Sequence, residues 1–194
     1  MPRTLLVRVL AWTAAIALQA TMNGTATAQT VWTGFSHSFS KALFADPTVA
    51  ENQDRITDQV WLTRSTNQGL YNARTETGYV GTSPADTEWA TDLLSANAGK
   101  SISAENWTNL SFANWVDAYS GSGSQQLPSR LTSHNAVVHL ITDDIYLDLR
   151  FTTWSGAGGA FAYERAAPVP EPATVTFSVA GLILLVSVAG RSRR

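Results

Sequence analysis

Residues Ala173 to Ala189 carry no charge and sit near the C-terminal end of this 194-residue chain. Val175, Phe177, Val179, Leu182, Ile183, Leu184, Leu185, Val186 and Val188 make the stretch strongly apolar. A helix needs about 17–25 residues to cross a bilayer core, and backbone amides in lipid must bond one another. The spacing predicts a transmembrane helix, which no soluble core can share. Arg191, Arg193 and Arg194 follow it and favour the cytoplasmic side, placing everything before the span outside the inner membrane. Pro168, Pro170 and Pro172 keep the preceding stretch extended and exposed, open to a processing enzyme.

The other end agrees with this topology. Arg3 and Arg8 precede an apolar run from Val9 to Leu18, and small residues follow at Ala26-Thr27-Ala28. That is the order of a secretory signal peptide, handled by the Sec translocon and signal peptidase. Cleavage after Ala28 would leave Gln29 as the new N-terminus; the competing reading is an uncleaved anchor. Residues 29–167 remain, the size of one ordinary domain able to bury a core without staples. The chain has no cysteine, which excludes thiol chemistry and disulfides.

Charge narrows the partners. Five of the thirteen basic residues and one of the fifteen acidic ones lie in the two end segments. The domain keeps eight basic against fourteen acidic residues, a formal −6. That balance argues against nucleic acid as a partner, because a phosphate binder needs a basic patch.

Val169-Pro170-Glu171-Pro172, the apolar span 173–189 and the basic tail 190–194 together resemble the PEP-CTERM sorting signal of bacterial envelope proteins. The resemblance implies recognition and processing by exosortase, an integral-membrane transpeptidase-like enzyme. It implies an inner-membrane intermediate, then residence in the envelope, at the cell surface or in the extracellular matrix. The family is associated with exopolysaccharide and biofilm. A plain anchor would have no need of Pro-Glu-Pro. Residues 136–166, with 53–64 and 83–90 upstream, are similar to a recurrent domain of bacterial secreted proteins. That second resemblance implies an intact exported fold and carries over no catalytic residue.

Within the domain the pattern is mostly strand. Ile56, Val60 and Leu62 alternate with Thr57, Trp61 and Thr63, which predicts a strand facing the core with Leu62 and outward with Trp61. In the stretch from Ile145 to Phe151, Ile145, Leu147, Leu149 and Phe151 line one face, and Tyr146, Asp148 and Arg150 the other. Residues 136–141 form a preceding strand, with a turn at Thr142-Asp143-Asp144. Ser155 to Gly159 reads as a flexible loop and Phe161-Ala162-Tyr163 as a returning strand. Ser83-Pro84-Ala85-Asp86, then Trp89, Ala90, Leu93 and Leu94 at helical spacing, predict one helix ending at Gly99. Ala113 to Tyr119 fits a short helix or an extended stretch, and Ser120 to Ser129 a loop. The fold class expected is mainly β, a single β-sandwich or jelly-roll-like domain with one short helix, flanked by a signal peptide and a transmembrane sorting helix.

Chemistry is sparse. Gly-x-Ser-x-Gly, His-Glu-x-x-His and phosphate-loop motifs are absent. His37, His134 and His139 have no mutual helical spacing, and no metal site or cofactor is expected. His139 lies in an apolar strand and reads as a structural histidine. Asp46, Asp54 and Asp58, or Asp143 and Asp144, are hard donors for calcium, or else partners of Arg55 and Arg64 and a solvated turn. Paired carboxylates of glycosidase type meet only in space. Among the tryptophans, Trp61 and Trp154 are the candidates for ligand binding, one opposite an apolar face and the other beside a glycine-rich loop; the alternative is core packing. The expectation is a non-enzymatic surface or matrix component that contacts exopolysaccharide. The alternatives are a carbohydrate-active hydrolase and a calcium-dependent adhesion module.

Overall fold

The computed structural model describes residues 29–120 and 127–168. Signal-peptide residues Ala26 and Ala28, sorting residues Val169, Pro170, Glu171 and Pro172, and Arg191, Arg193 and Arg194 lie outside the described residues. Gln29, at their start, is exposed. Among the described residues no helix is long and apolar enough to cross a membrane, and the expected span at 173–189 falls outside them.

Two sheets, mainly antiparallel, make the fold mainly β. The larger contains β1 (Thr30–Trp32), β2 (His37–Lys41), β6 (Thr87–Ala90), β7 (Asn135–Leu140), β8 (Ile145–Trp154) and β9 (Phe161–Arg165). Its order is β2-β9-β8-β7-β6. β1 runs parallel to Ile145–Leu147 of β8, and β9 takes the same strand from Leu149 to Trp154. The smaller sheet is β3 (Asp54–Arg55), β4 (Trp61–Arg64) and β5 (Leu70–Asn72). Leu62 and Leu70 from the small sheet share one buried cluster with Val138, Leu147, Leu149 and Phe151 from the large one.

β8 follows its period-two pattern, with Leu147, Leu149 and Phe151 in that main core. The opposite face is covered at its start. Tyr146 is only 8 % exposed, packed in a second cluster with Val137, Ala90 and Ala104. Its ring stacks on His139 at 4.1 Å and meets Trp107 at 4.3 Å. The 3-10 helix Ala104–Asn109 is placed there in part by Asp148, whose carboxylate accepts from the backbone N–H of Ala104 and of Gly34.

Three expectations need correction. The alternating stretch 56–63 is not one strand. The Thr57 hydroxyl accepts from the N–H of Gln59 and of Val60, while Ile56 N–H donates to Val60 O, so the chain turns back between β3 and β4. The helix expected from Ser83 is also absent. Ser83 does not cap: its hydroxyl donates to Glu76 and accepts from Val80 N–H, and Asp86 has φ +62. Trp89 and Ala90 then pair with Val138 and Val137 in β6–β7, so cross-strand burial overrides helical spacing. Helices form elsewhere: α1 (Trp115–Ser120), in the stretch read as a short helix or extended, starts where Asn114 accepts from Asp117 N–H, and α2 (Leu127–Leu131) overlaps the end of the expected loop.

The glycine-rich turn between β8 and β9 is pinned rather than loose. Arg64 donates to the carbonyls of Ser155 and Ala160, and Lys41 to that of Gly159. Gly159 has φ +70, and a Cβ there would lie 2.4 Å from the Ser65 carbonyl oxygen. Only glycine lets these backbones approach so closely.

Candidate functional site

Alternation in the small sheet divides its residues between two faces. Asp54, Leu62, Arg64, Leu70 and Asn72 are all buried on the inner side. Arg55, Trp61, Tyr71 and Ala73 line a hollow of about 320 Å³ on the outer side. Pro47, Thr48, Gln53, Glu76 and Thr77 complete its lining.

Trp61 lines this hollow. Among the six described tryptophans it alone belongs to neither hydrophobic cluster nor packs against one. Its backbone N–H donates to the Asn72 side chain (2.9 Å), and its indole N–H to Thr57 O (3.1 Å). Register sets Arg55 directly across from Trp61, which puts the Arg55 guanidinium 4.2 Å from the ring centroid. The Arg74 guanidinium lies 5.6 Å from the same centroid. Asn72 organises the hairpin: its side-chain amide donates to Gln59 O and Ala85 O, and its carbonyl oxygen also accepts from Arg74 N–H.

Glu76 borders the hollow with its oxygens engaged. One accepts from Asn72 N–H (2.6 Å) and Ala85 N–H (2.9 Å), the other from the Ser83 hydroxyl (2.5 Å). Burial raises the Tyr71 phenol above its ordinary pKa, so the ring is neutral and its hydroxyl keeps its proton. The hollow therefore offers an aromatic wall, amide and hydroxyl groups, the Arg55 guanidinium and the Glu76 carboxylate, with Arg74 beside the Trp61 ring but outside the lining.

Trp154 is placed differently. It packs against the main core, with ring centroids 5.5 Å from Trp115 and 5.6 Å from Phe151, and the Arg64 guanidinium covers it at 3.8 Å. Arg64 is 2 % exposed, and burial pushes its pKa down to about 10. The adjoining hollow, about 230 Å³, is lined by Tyr79, Trp115 and Gly69 as well as by Trp154 and Arg64. The two tryptophans singled out by the sequence thus line separate depressions.

A third hollow, about 380 Å³, holds the Asp92–His134 pair at 2.8 Å beside Lys100, Ser101 and Ser133. The Ser133 hydroxyl donates to Ser129 O, and no hydrogen bond joins His134 to a serine among the described residues. The aspartates considered for calcium are dispersed. Asp54 is paired with Arg165, Asp46 holds Thr48, and Asp143 accepts from the Thr57 hydroxyl. Among the described residues no group of three His, Asp or Glu side chains is arranged to hold a metal ion. His139 lies between Glu88 (3.6 Å) and Asp144 (3.4 Å) with its ring stacked on Tyr146.

Arg55, Arg74, Tyr71 and Asn72 were not visible as site residues in the sequence. No motif links them, and their convergence on Trp61 depends on the β3-β4-β5 register. The chain matches no protein-family model, no curated protein and no solved structure.

Proposed function

We propose that this chain is an exported envelope protein whose domain, residues 29–167, is a non-enzymatic surface or matrix module that binds saccharide in the Trp61 hollow. The carrying observation is the position of Trp61, outside both clusters and against polar side chains on the outer face of the small sheet. An indole left out of the core forgoes burial, and an amphipathic ring beside hydrogen-bonding groups suits a pyranose, which has one apolar side and many hydroxyls. The two mainly antiparallel sheets around one core support reading the domain as a β-sandwich of jelly-roll type.

Export rests on the sequence of the two ends. In this reading exosortase acts at Val169-Pro170-Glu171-Pro172, after the Sec translocon and signal peptidase have released Gln29. Intact-mass measurement on the surface-exposed protein tests it: the mature form should lack everything from Ala173 onward. A surface species still ending in Arg194 defeats this half of the proposal. The saccharide half is tested by glycan-array binding of the purified full-length protein and of Trp61→Ala; equal binding by both defeats it.

A hydrolase is the second reading, favoured by the Asp92–His134 pair in its polar hollow. Glycan turnover that is lost in His134→Ala would put it first.

A further inference from the structure

The domain carries an excess of acid, yet two guanidiniums lie 4.2 Å and 5.6 Å from the Trp61 ring centroid. Arg55 and Arg74 are both exposed, and neither has a carboxylate within ion-pair distance among the described residues. Arg150, the exposed arginine of the large sheet, is by contrast paired with Glu164 at 2.5 Å. Each of the two arginines spends little of its donor set. Arg55 gives one hydrogen bond to the Gln53 side chain (3.2 Å), and Arg74 gives one to Asp58 O (3.3 Å). The remaining donors of both forks are open to a ligand.

Nearby acids form no ion pair with these two arginines. Glu76 is held by Asn72, Ala85 and Ser83, and one Asp46 oxygen is held by both the backbone and hydroxyl of Thr48. Two like charges near one indole ring repel each other, and the cation–π attraction at an exposed site is weak. An anion held beside the ring offsets that repulsion.

We propose that the ligand of the Trp61 hollow is an acidic saccharide, whose carboxylate is bound by Arg55 and Arg74. This rests on the saccharide reading above and names its chemical class. Charge-assisted, fork-like pairing with a carboxylate is stronger than a guanidinium resting on an exposed ring. As Arg55 turns to the carboxylate it uncovers the face of Trp61, and the apolar side of the pyranose packs there. Gln53, Thr48 and Thr77 border the space left for the ring hydroxyls. The positive charge acts locally: beyond about 8 Å at physiological salt the acidic surface elsewhere is screened. Specificity for the acid therefore comes from direct contact and not from the field of the whole domain.

The test uses the full-length protein in detergent, with polygalacturonate and its carboxyl-reduced, neutral counterpart as matched probes. Polygalacturonate should bind about tenfold or more tightly than the reduced polymer, since a charge-assisted hydrogen bond is worth at least that factor. Arg55→Ala and Arg74→Ala should each weaken acid binding by about tenfold with unchanged melting temperature, and Arg55→Lys should restore part of the loss. Trp61→Ala should weaken both polymers. Equal binding of the two polymers, both dependent on Trp61, overturns the acid assignment while leaving the saccharide reading intact. Binding of neither polymer, or binding indifferent to Trp61, overturns both.

Discussion

Asp54 on β3 and Arg165 on β9, 111 residues apart, face each other in a two-pronged buried ion pair. Arg165 Nε donates to Asp54 Oδ2 at 2.7 Å, and Nη2 to Oδ1 at 2.9 Å. The Tyr163 hydroxyl adds a third donor at 2.7 Å. One partner belongs to the small sheet and the other two to the large one, so this contact joins the sheets across the core. Burial works against the Arg165 charge, but the hydrogen bonds and charge of Asp54 outweigh it and raise its pKa. Asp54→Asn strands a buried guanidinium and should cost about 3–5 kcal/mol in denaturant unfolding. Replacing all three groups, Asp54→Leu with Arg165→Met and Tyr163→Phe, should recover most of that loss, since no buried donor is left without a partner. A cost below about 1 kcal/mol for Asp54→Asn would mean that the pair does not hold the sheets together.

Tyr119 and Tyr163 make a matched contrast. Both are fully buried, but the Tyr119 hydroxyl has no hydrogen-bond partner among the described residues. Tyr163→Phe should destabilise by about 1–3 kcal/mol, because Asp54 loses a donor. Tyr119→Phe should be neutral or stabilising, since it removes a buried polar atom already without a partner. Urea titrations of the two variants beside wild type give the order directly; the reverse order would refute the assignment.

Alkaline pH probes the same rings. Burial raises the phenol pKa of both Tyr119 and Tyr163 above the ordinary 10.0. A group whose folded pKa is raised gives stability that is complete below the unfolded pKa and is lost as pH climbs toward the folded one. Stability should therefore fall from about pH 10 upward, by about 1.4 kcal/mol per pH unit for each such tyrosine. Arg64, lowered by burial to about 10 in the fold, works in the opposite sense, since deprotonation relieves its burial penalty. Two fully buried phenols outweigh one guanidinium. Tyrosinate absorbance should appear together with loss of near-ultraviolet dichroism, and Tyr119→Phe should move that midpoint upward. Gradual tyrosinate formation in a folded protein would contradict this.

The two candidate tryptophans should separate in a single experiment. Trp154→Ala removes a ring packed on Trp115, Phe151 and Phe161 and covered by Arg64, and should cost about 3–5 kcal/mol. Trp61→Ala removes a ring outside the clusters and should change stability by less than half as much while losing polysaccharide retention. Melting curves and retention assays on the same samples distinguish unfolding from lost binding. Similar melting losses in both variants would place Trp61 in the core.

Much of the β-framework was legible because period-two burial is written directly into strands. Leu147, Leu149 and Phe151 repeat on one face of β8, and the Ser155–Gly159 turn and the returning strand follow at the expected places. The outward side of Trp61 also followed from its place beside Leu62. Ser83 to Leu94 misled, since local capping and spacing carry no information about the β7 edge waiting to pair with Trp89 and Ala90. The strand expected through Ile56 and Val60 failed for a related reason: the Thr57 hydroxyl takes two backbone N–H groups and closes a turn.

By itself, the sequence determined the apolar character of the end segments, the absence of cysteine chemistry, the acidic balance and the mainly β character. Those properties are sums or short periods along the chain. Tertiary structure alone decided that Trp61 stands outside the core while Trp154 joins it, that Arg55 and Arg74 converge on one indole, and that Asp54 belongs to Arg165 rather than to a cation. Each depends on which strands pair and in what register. A register shift of one residue would turn Trp61 inward and Leu62 outward, so the site exists only once the sheets have assembled.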